Sequence, residues 1–339
     1  MPIVEPSSYK PPLFFSNGHL QTIFPHFFRK VKGVNYLRER IDIGVQNFSF
    51  APGVQAHPST AADPDFLDLD WSLIGAERVA IISHGLEGNS GRSYVLGMAR
   101  ALNRAGWDVL AWNFRGCSGE PNRQLRSYHS GATEDLQAAV SEVISRKRYQ
   151  QIALVGFSLG GNLTLKYLGE RAEAVDARIK SAAAISAPCD LAGSSRRMAQ
   201  PANKIYMRRF LKMLHQKIRA KMEILPGKLD DAGFEKIKNF KDFDDRYTAP
   251  LHGFASAEDY WEKCSSRQFL PRVAVPTLII NARNDPFLSE ECFPIEEARR
   301  NPHVFLEIPE SGGHVGFVEF NSAEEYWSER RAVEFLSNR

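Results

Sequence analysis

Short apolar runs alternate with amphipathic stretches along most of this chain. Arg78–Ser83, Trp107–Asn113, Gln151–Val155, Ile179–Ser186, Val275–Asn281 and Val304–Ile308 are runs of strand length with little polar alternation. Such runs fit strands buried on both faces. Between them, Tyr94–Ala105 (stopped by Gly106) and Thr133–Arg146 (with Thr133 as N-cap) carry helical periodicity. Further helices are expected over Gly161–Leu168, near Glu290–Arg300 and from Ala323 to Leu336. Strands separated by helices predict an α/β fold, a mostly parallel central sheet with helices on both faces. Right-handed crossovers align the strand C-termini along one edge, where sites form.

Two regions break the alternation. Residues 1–75 open on an irregular, aromatic-rich stretch. Two candidate antiparallel strands follow, Leu37–Ile43 and Phe66–Ser72, joined by a loop containing Pro52, His57 and Pro58. This part is expected to pack on the core as an N-terminal extension. Residues 192–268 are helical and charged, and read as a cap inserted over the sheet edge, dividing a core of 76–191 and 269–339.

Within that cap, Arg196, Arg197, Lys204, Arg208, Arg209, Lys212, Lys217, Arg219 and Lys221 follow one another with no acidic residue between. Met207, Leu211, Leu214 and Ile218 recur at i, i+4, i+7 and i+11, and Phe210 and Met213 widen this apolar face. The favoured reading is a roof over an acyl pocket with solvated charges. A basic amphipathic helix also suits peripheral contact with an anionic membrane, and the two are compatible.

Composition narrows the class. With 339 residues the chain can bury a large core as one big domain or two ordinary ones. A formal charge of +3 is too small to argue for nucleic acid. No apolar run approaches a membrane span, and Met1–Pro6 shows no secretory signal. Cys117, Cys189, Cys264 and Cys292 are scattered without a Cys-x-x-Cys pair, which suits reduced thiols rather than disulfides or zinc. A cytoplasmic protein, at most peripheral to the inner membrane face, is expected.

The chemistry centres on Gly156-Phe157-Ser158-Leu159-Gly160, set directly between an apolar run and a helical one. The pentapeptide alone is weak evidence, but in strand–turn–helix context it reads as a nucleophile elbow with Ser158 exposed at the sheet edge. A serine hydroxyl needs a base within hydrogen-bond reach, and the base needs an orienting acid. Both should follow later in the chain. His303 opens a strand at the wrong end, whereas His314 lies in the glycine-rich turn Glu310–Phe317, so His314 is the expected base. Asp285 directly follows the Val275–Asn281 run and is the expected acid, with Asp190 as runner-up. Asp242, Asp244 and Asp245 read as solvated cap residues. An acyl-transfer oxyanion needs fixed donors worth on the order of 3 kcal/mol each. Leu159 N–H is one candidate, and Leu86 N–H, from His84-Gly85-Leu86-Glu87-Gly88, is the other. His84 is expected to shape that loop rather than titrate. Such chemistry needs no metal or organic cofactor.

With these pieces placed, the sequence resembles the α/β-hydrolases, and more narrowly the AB hydrolase 4 family of bacterial YheT-type esterases and their eukaryotic lipid-esterase relatives. The resemblance rests on Asn17–Ile23, His84–Gly88, Asn113–Asn122, Tyr128–Gly131, Gly156–Asn162 and the Asp285 and His314 turns. It implies the triad Ser158, Asp285 and His314, the same residues reached from spacing. It also implies hydrolysis of short- to medium-chain or lipid-like carboxylic esters, or transfer of the acyl group to an alcohol. His19 and Arg115 are expected to pack near the site. A non-catalytic lipid-binding or interaction protein on the same fold is the alternative from another class. Dehalogenase and epoxide-hydrolase chemistry, which need a carboxylate at the elbow, are disfavoured.

Overall fold

A computed structural model describes residues 2–44 and 64–339. The loop with Pro52, His57 and Pro58 lies outside the described residues. Nine strands form one sheet: β1 (Ile3–Val4), β2 (Leu37–Ile43), β3 (Asp65–Ser72), β4 (Arg78–Ser83), β5 (Asp108–Trp112), β6 (Gln151–Phe157), β7 (Ile179–Ile185), β8 (Thr277–Ile280) and β9 (Val304–Glu307). Their order is β1-β9-β8-β7-β6-β4-β5-β3-β2. β2 and β3 are antiparallel, and β3 runs antiparallel to β5, while all other pairings are parallel.

The helices are α1 (Gly18–Phe28), α2 (Ser93–Arg104), α3 (Thr133–Ser145), α4 (Leu159–Arg171), α5 (Leu191–Met198), α6 (Lys204–Ile224), α7 (Phe240–Phe243), α8 (Ala249–His252), α9 (Ala257–Cys264), α10 (Ile295–Arg300) and α11 (Trp327–Ser337). Two apolar layers sandwich the sheet. One holds Leu136, Val140 and Leu163 against Ile81, Leu110 and Leu154. The other holds Val95, Met98 and Phe335 against Ile82, Val109 and Val155. β4 to β6 are buried on both faces, which accounts for their uninterrupted apolar runs. β2 and β3 alternate instead. Arg38 and Arg40 sit directly across from Asp70 and Asp68 and bond them bidentately at 2.7–2.9 Å.

Several elements differ from the sequence expectation. The stretch read as irregular contains α1, N-capped by Asn17, whose side chain accepts from Leu20 N–H at 3.0 Å. It also contains β1, which joins the far sheet edge beside β9. Thr133 is the first residue of α3 rather than its cap, and its hydroxyl donates to Glu170. The helix expected over Glu290–Arg300 is interrupted at Pro294, so α10 begins at Ile295. The closing helix starts at Trp327, not Ala323.

Between β7 and β8 the chain is helical. The apolar face of α6 is buried with Met198, Phe234, Phe243 and Tyr247. Not all of its cations are solvated. Lys217 Nζ lies 3.0 Å from Glu87 and 2.8 Å from Cys117 Sγ, and buried Lys221 donates to the carbonyls of Asn122 and Gln124. No helix of the described residues is long and apolar enough to cross a membrane.

Candidate active site

β4 is the strand from which the chain turns both ways, to β5 on one side and, after α3, to β6 on the other. Ligands of open α/β sheets gather at such a switch point, beyond the strand C-termini. Ser158 stands there, between β6 and α4, with φ 52° and ψ −120°. This conformation is rare for a residue with a Cβ and costs about 1–3 kcal/mol. The approach of the elbow to β4 leaves no room for a side chain at Gly160. A Cβ there would fall 2.3 Å from Ser83 O and 2.5 Å from His84 O.

The loop after β9 brings His314 to Ser158. His314 Nε2 lies 2.8 Å from Ser158 Oγ, and Nδ1 lies 2.8 Å from Asp285 Oδ2. A carboxylate only accepts, so Nδ1 carries the imidazole proton and leaves the Nε2 lone pair to the serine hydroxyl. Asp285, in the turn after β8, is 2% exposed and also accepts from Phe287 N–H at 2.8 Å. The His314 turn is held by groups from distant segments. His314 N–H donates to Thr22 Oγ1 at 2.9 Å, Val315 N–H to Ser186 Oγ at 2.9 Å, and Gly313 N–H to Asn284 Oδ1 at 3.0 Å. Pro25 has no N–H for the Gln21 carbonyl, and Gly316 packs so closely on that oxygen that a Cβ would meet it at 2.4 Å.

The loop after β4 forms the opposite wall. His84 Nε2 accepts from Phe114 N–H at 3.1 Å, so its Nδ1 carries the proton and donates to Gly85 O at 2.8 Å. Burial drives the pKa of this imidazole down to about 3, so it stays neutral and serves as a brace. Gly85 N–H donates to Tyr94 OH at 3.0 Å, and Glu87 N–H to Tyr128 OH at 3.0 Å. The amides of Leu86 and Leu159 donate to no other described residue. Both residues line one cavity with Ser158 and His314.

That cavity measures about 160 Å³ and runs under the helical segment between β7 and β8. Its walls are mostly apolar, including Leu191, Met198, Leu214, Ile218, Phe240 and Phe287. A polar group lies among them: His129, His252 and Asp244 also face the space. Gly131 N–H donates to His129 Nδ1 at 3.1 Å, and burial pushes the His129 pKa down to about 3. Burial also holds His252 well below its usual value. Asp244 accepts from Trp261 Nε1 at 2.9 Å and from Thr248 Oγ1 at 2.6 Å, and burial raises its pKa to about 7. Asp244 is therefore not the solvated residue that the sequence suggested.

The other nominated residues stand outside the relay, and of them His19 packs near it through Tyr206 and Phe287. Asp190 caps α5, accepting from Gly193 N–H at 3.2 Å. His303 is exposed at the entry of β9. Asp245 accepts from Ala257 N–H and Lys241, and Asp242 from Lys238 N–H. Arg115 is buried between Asp65 and Asp135, at 2.6 and 2.7 Å. His19 Nδ1 lies 3.2 Å from Tyr206 OH, and the two rings are parallel. All four cysteines are free and buried. Thr22, Ser186 and Tyr94 were not foreseen. Among the described residues no cluster of three His, Cys, Asp or Glu could hold a metal ion.

Known proteins resemble this chain in sequence and fold. The profile of the family described as alpha/beta hydrolase fold matches residues 80–320. The chain is 34% identical over 330 residues to YheT of Escherichia coli strain K12, across 95% of this chain and 91% of that one. It is 27% identical to the monoacylglycerol lipase of Saccharomyces cerevisiae, across 92% of this chain and 77% of that one. In three dimensions it is similar to a Pyrococcus furiosus esterase at a TM-score of 0.56 and 18% identity, covering 91% of this chain and 96% of that one, which speaks to the fold alone. With a family profile matched over most of its length and a relative alike almost end to end, this chain belongs to the α/β-hydrolase family.

Proposed function

We propose that the protein is a serine carboxylesterase acting on short- to medium-chain, lipid-like acyl esters through an acyl-enzyme. The carrying observation is the relay Asp285–His314–Ser158, with both contacts at 2.8 Å, opening onto an apolar cavity beside two free amides. The class of the relatives supports it, since the yeast relative is a monoacylglycerol lipase.

In this reading Ser158 Oγ attacks the ester carbonyl carbon while His314 Nε2 takes the hydroxyl proton. The carbonyl oxygen becomes an oxyanion held by the Leu86 and Leu159 N–H groups. Collapse breaks the ester C–O bond, and His314 passes its proton to the departing alkoxide. Water enters, gives a proton to His314 and attacks the acyl carbon, and the acid leaves as Ser158 regains its proton. The helical segment 192–268 acts as the lid over the acyl chain, with the apolar face of α6 supplying Leu214 and Ile218 to its roof.

A fluorophosphonate probe should label the wild type at Ser158 and leave Ser158→Ala unlabelled. Hydrolysis of p-nitrophenyl esters should peak at short to medium acyl chains and fall at least about a thousandfold in Ser158→Ala. Equal labelling of both proteins, or background rates across all chain lengths, would overturn the reading.

A further inference from the structure

α1 has two faces. Gly18, Gln21 and Pro25 are buried, and Thr22 on that side holds the His314 turn. On the other side Phe27 and Phe28 are 67% and 68% exposed. Leu13 and Phe14, just before the helix, are 80% and 81% exposed, and Phe320 is 62% exposed. Phe14 has φ 70°, a left-handed conformation that aromatic residues seldom adopt. Phe27, Phe28 and Phe320 are linked through Phe24 and Phe15. Phe28 stacks on Phe24 at 5.0 Å between centroids, Phe24 meets Phe15 at 4.9 Å, and Phe15 meets Phe320 at 5.5 Å. A joined, exposed aromatic patch marks an interaction surface.

The charge around the patch has one sign. No acidic residue occurs between Glu5 and Glu39. Lys10, Lys30 and Lys32 are exposed, as are Lys204, Arg208, Arg209 and Lys212 on α6. None of these cations bonds or pairs with a described residue. The two helices adjoin, because His19 of α1 meets Tyr206 of α6, whose neighbour Ile205 is 76% exposed. The His26 imidazole, lowered first by burial, also feels Arg209 and Arg92. The acidic residues flanking Phe320 are already neutralised: Glu319 by Arg330, Glu324 by Arg100 and Glu325 by Arg104. A second copy docking face to face would set cation against cation. Apolar side chains ringed by unpaired Lys and Arg instead match the interfacial zone and headgroups of an anionic bilayer.

We infer that α1, its preceding Leu13–Phe14 step and the N-terminal half of α6 form a docking surface for a bilayer containing anionic phospholipid. The apolar face of α6, nominated from the sequence for this contact, is occupied inside the protein, so α1 supplies the inserting side chains and α6 supplies charge. The inference rests on the esterase reading only for its purpose, delivery of lipid esters to a site that α1 itself braces. The contact stands without it.

Flotation of the full chain with vesicles of phosphatidylcholine, alone or mixed with phosphatidylglycerol, tests the surface. The wild type should float with the mixed vesicles, less so at high salt. Phe27→Ser/Phe28→Ser and Lys30→Gln/Lys32→Gln should each lower vesicle affinity at least about tenfold, with melting temperature and hydrolysis of soluble p-nitrophenyl butyrate unchanged. Ser158→Ala should float like the wild type while its hydrolysis falls at least about a thousandfold, so a failed esterase reading and a failed docking surface give different results. Absence of flotation, or undiminished affinity in both double variants, would overturn the inference. So would sedimentation showing the aromatic patch joining two copies that ignore lipid.

Discussion

Ser158 keeps a backbone conformation that suits glycine better than serine, with φ 52° and ψ −120°. The surrounding contacts enforce it: Ser158 N–H donates to Ile185 O at 2.9 Å, and Asn162 N–H to Ser158 O at 3.0 Å. Strain of this kind is relieved by glycine and not by alanine. Ser158→Gly should therefore be more stable than Ser158→Ala by about 1 kcal/mol, measured by urea denaturation of the two variants. Equal stabilities would mean the turn is unstrained. Of the residues nominated from chain order, His314 lies within hydrogen-bond reach of both Ser158 and Asp285. Thr22 and Ser186 have no such chain-order signature for a physical reason: each accepts a backbone N–H delivered by the distant His314 turn, while Tyr94 accepts one from Gly85, nine positions before it. No local pattern marks such a hydroxyl.

At the scale of elements, strands buried on both faces were legible because nothing polar interrupts them. α1 was not. Asn17-Gly18 and Pro25 are residue types that commonly end helices, yet the first caps the helix and the second sits within it, beside a loop that approaches the carbonyl Pro25 leaves free. The helical segment over the cavity carries a testable electrostatic cost. Burial raises the Asp244 carboxyl from 3.8 to about 7. A carboxyl with a raised folded pKa stabilises most while protonated. Its contribution is complete below the unfolded value near 4 and is lost as pH rises through about 7. Asp244→Asn should thus raise stability more at pH 8 than at pH 5, by on the order of 2 kcal/mol between the two. Thermal melts of both proteins at the two pH values measure this, and an equal gain at each pH would refute it.

Across the whole molecule, Arg115 ties the antiparallel part of the sheet to the helical layer. It bonds Asp65 at the start of β3 and Asp135 in α3, and all three side chains are buried. Removing one partner of such a group leaves uncompensated charge in the interior. Arg115→Met should cost about 3 kcal/mol in urea denaturation, and a neutral effect would show that water reaches the two carboxylates. The chain also closes on itself. Ile3 and Val4 pair with Leu306 and Glu307, Tyr9 OH lies 2.9 Å from Val318 O, and Thr22 holds His314. During translation the earliest of these residues must wait for partners made some three hundred positions later. A nascent chain therefore carries Ser158 156 positions before His314, and on the proposed esterase reading the nucleophile stays unactivated until its base has been made.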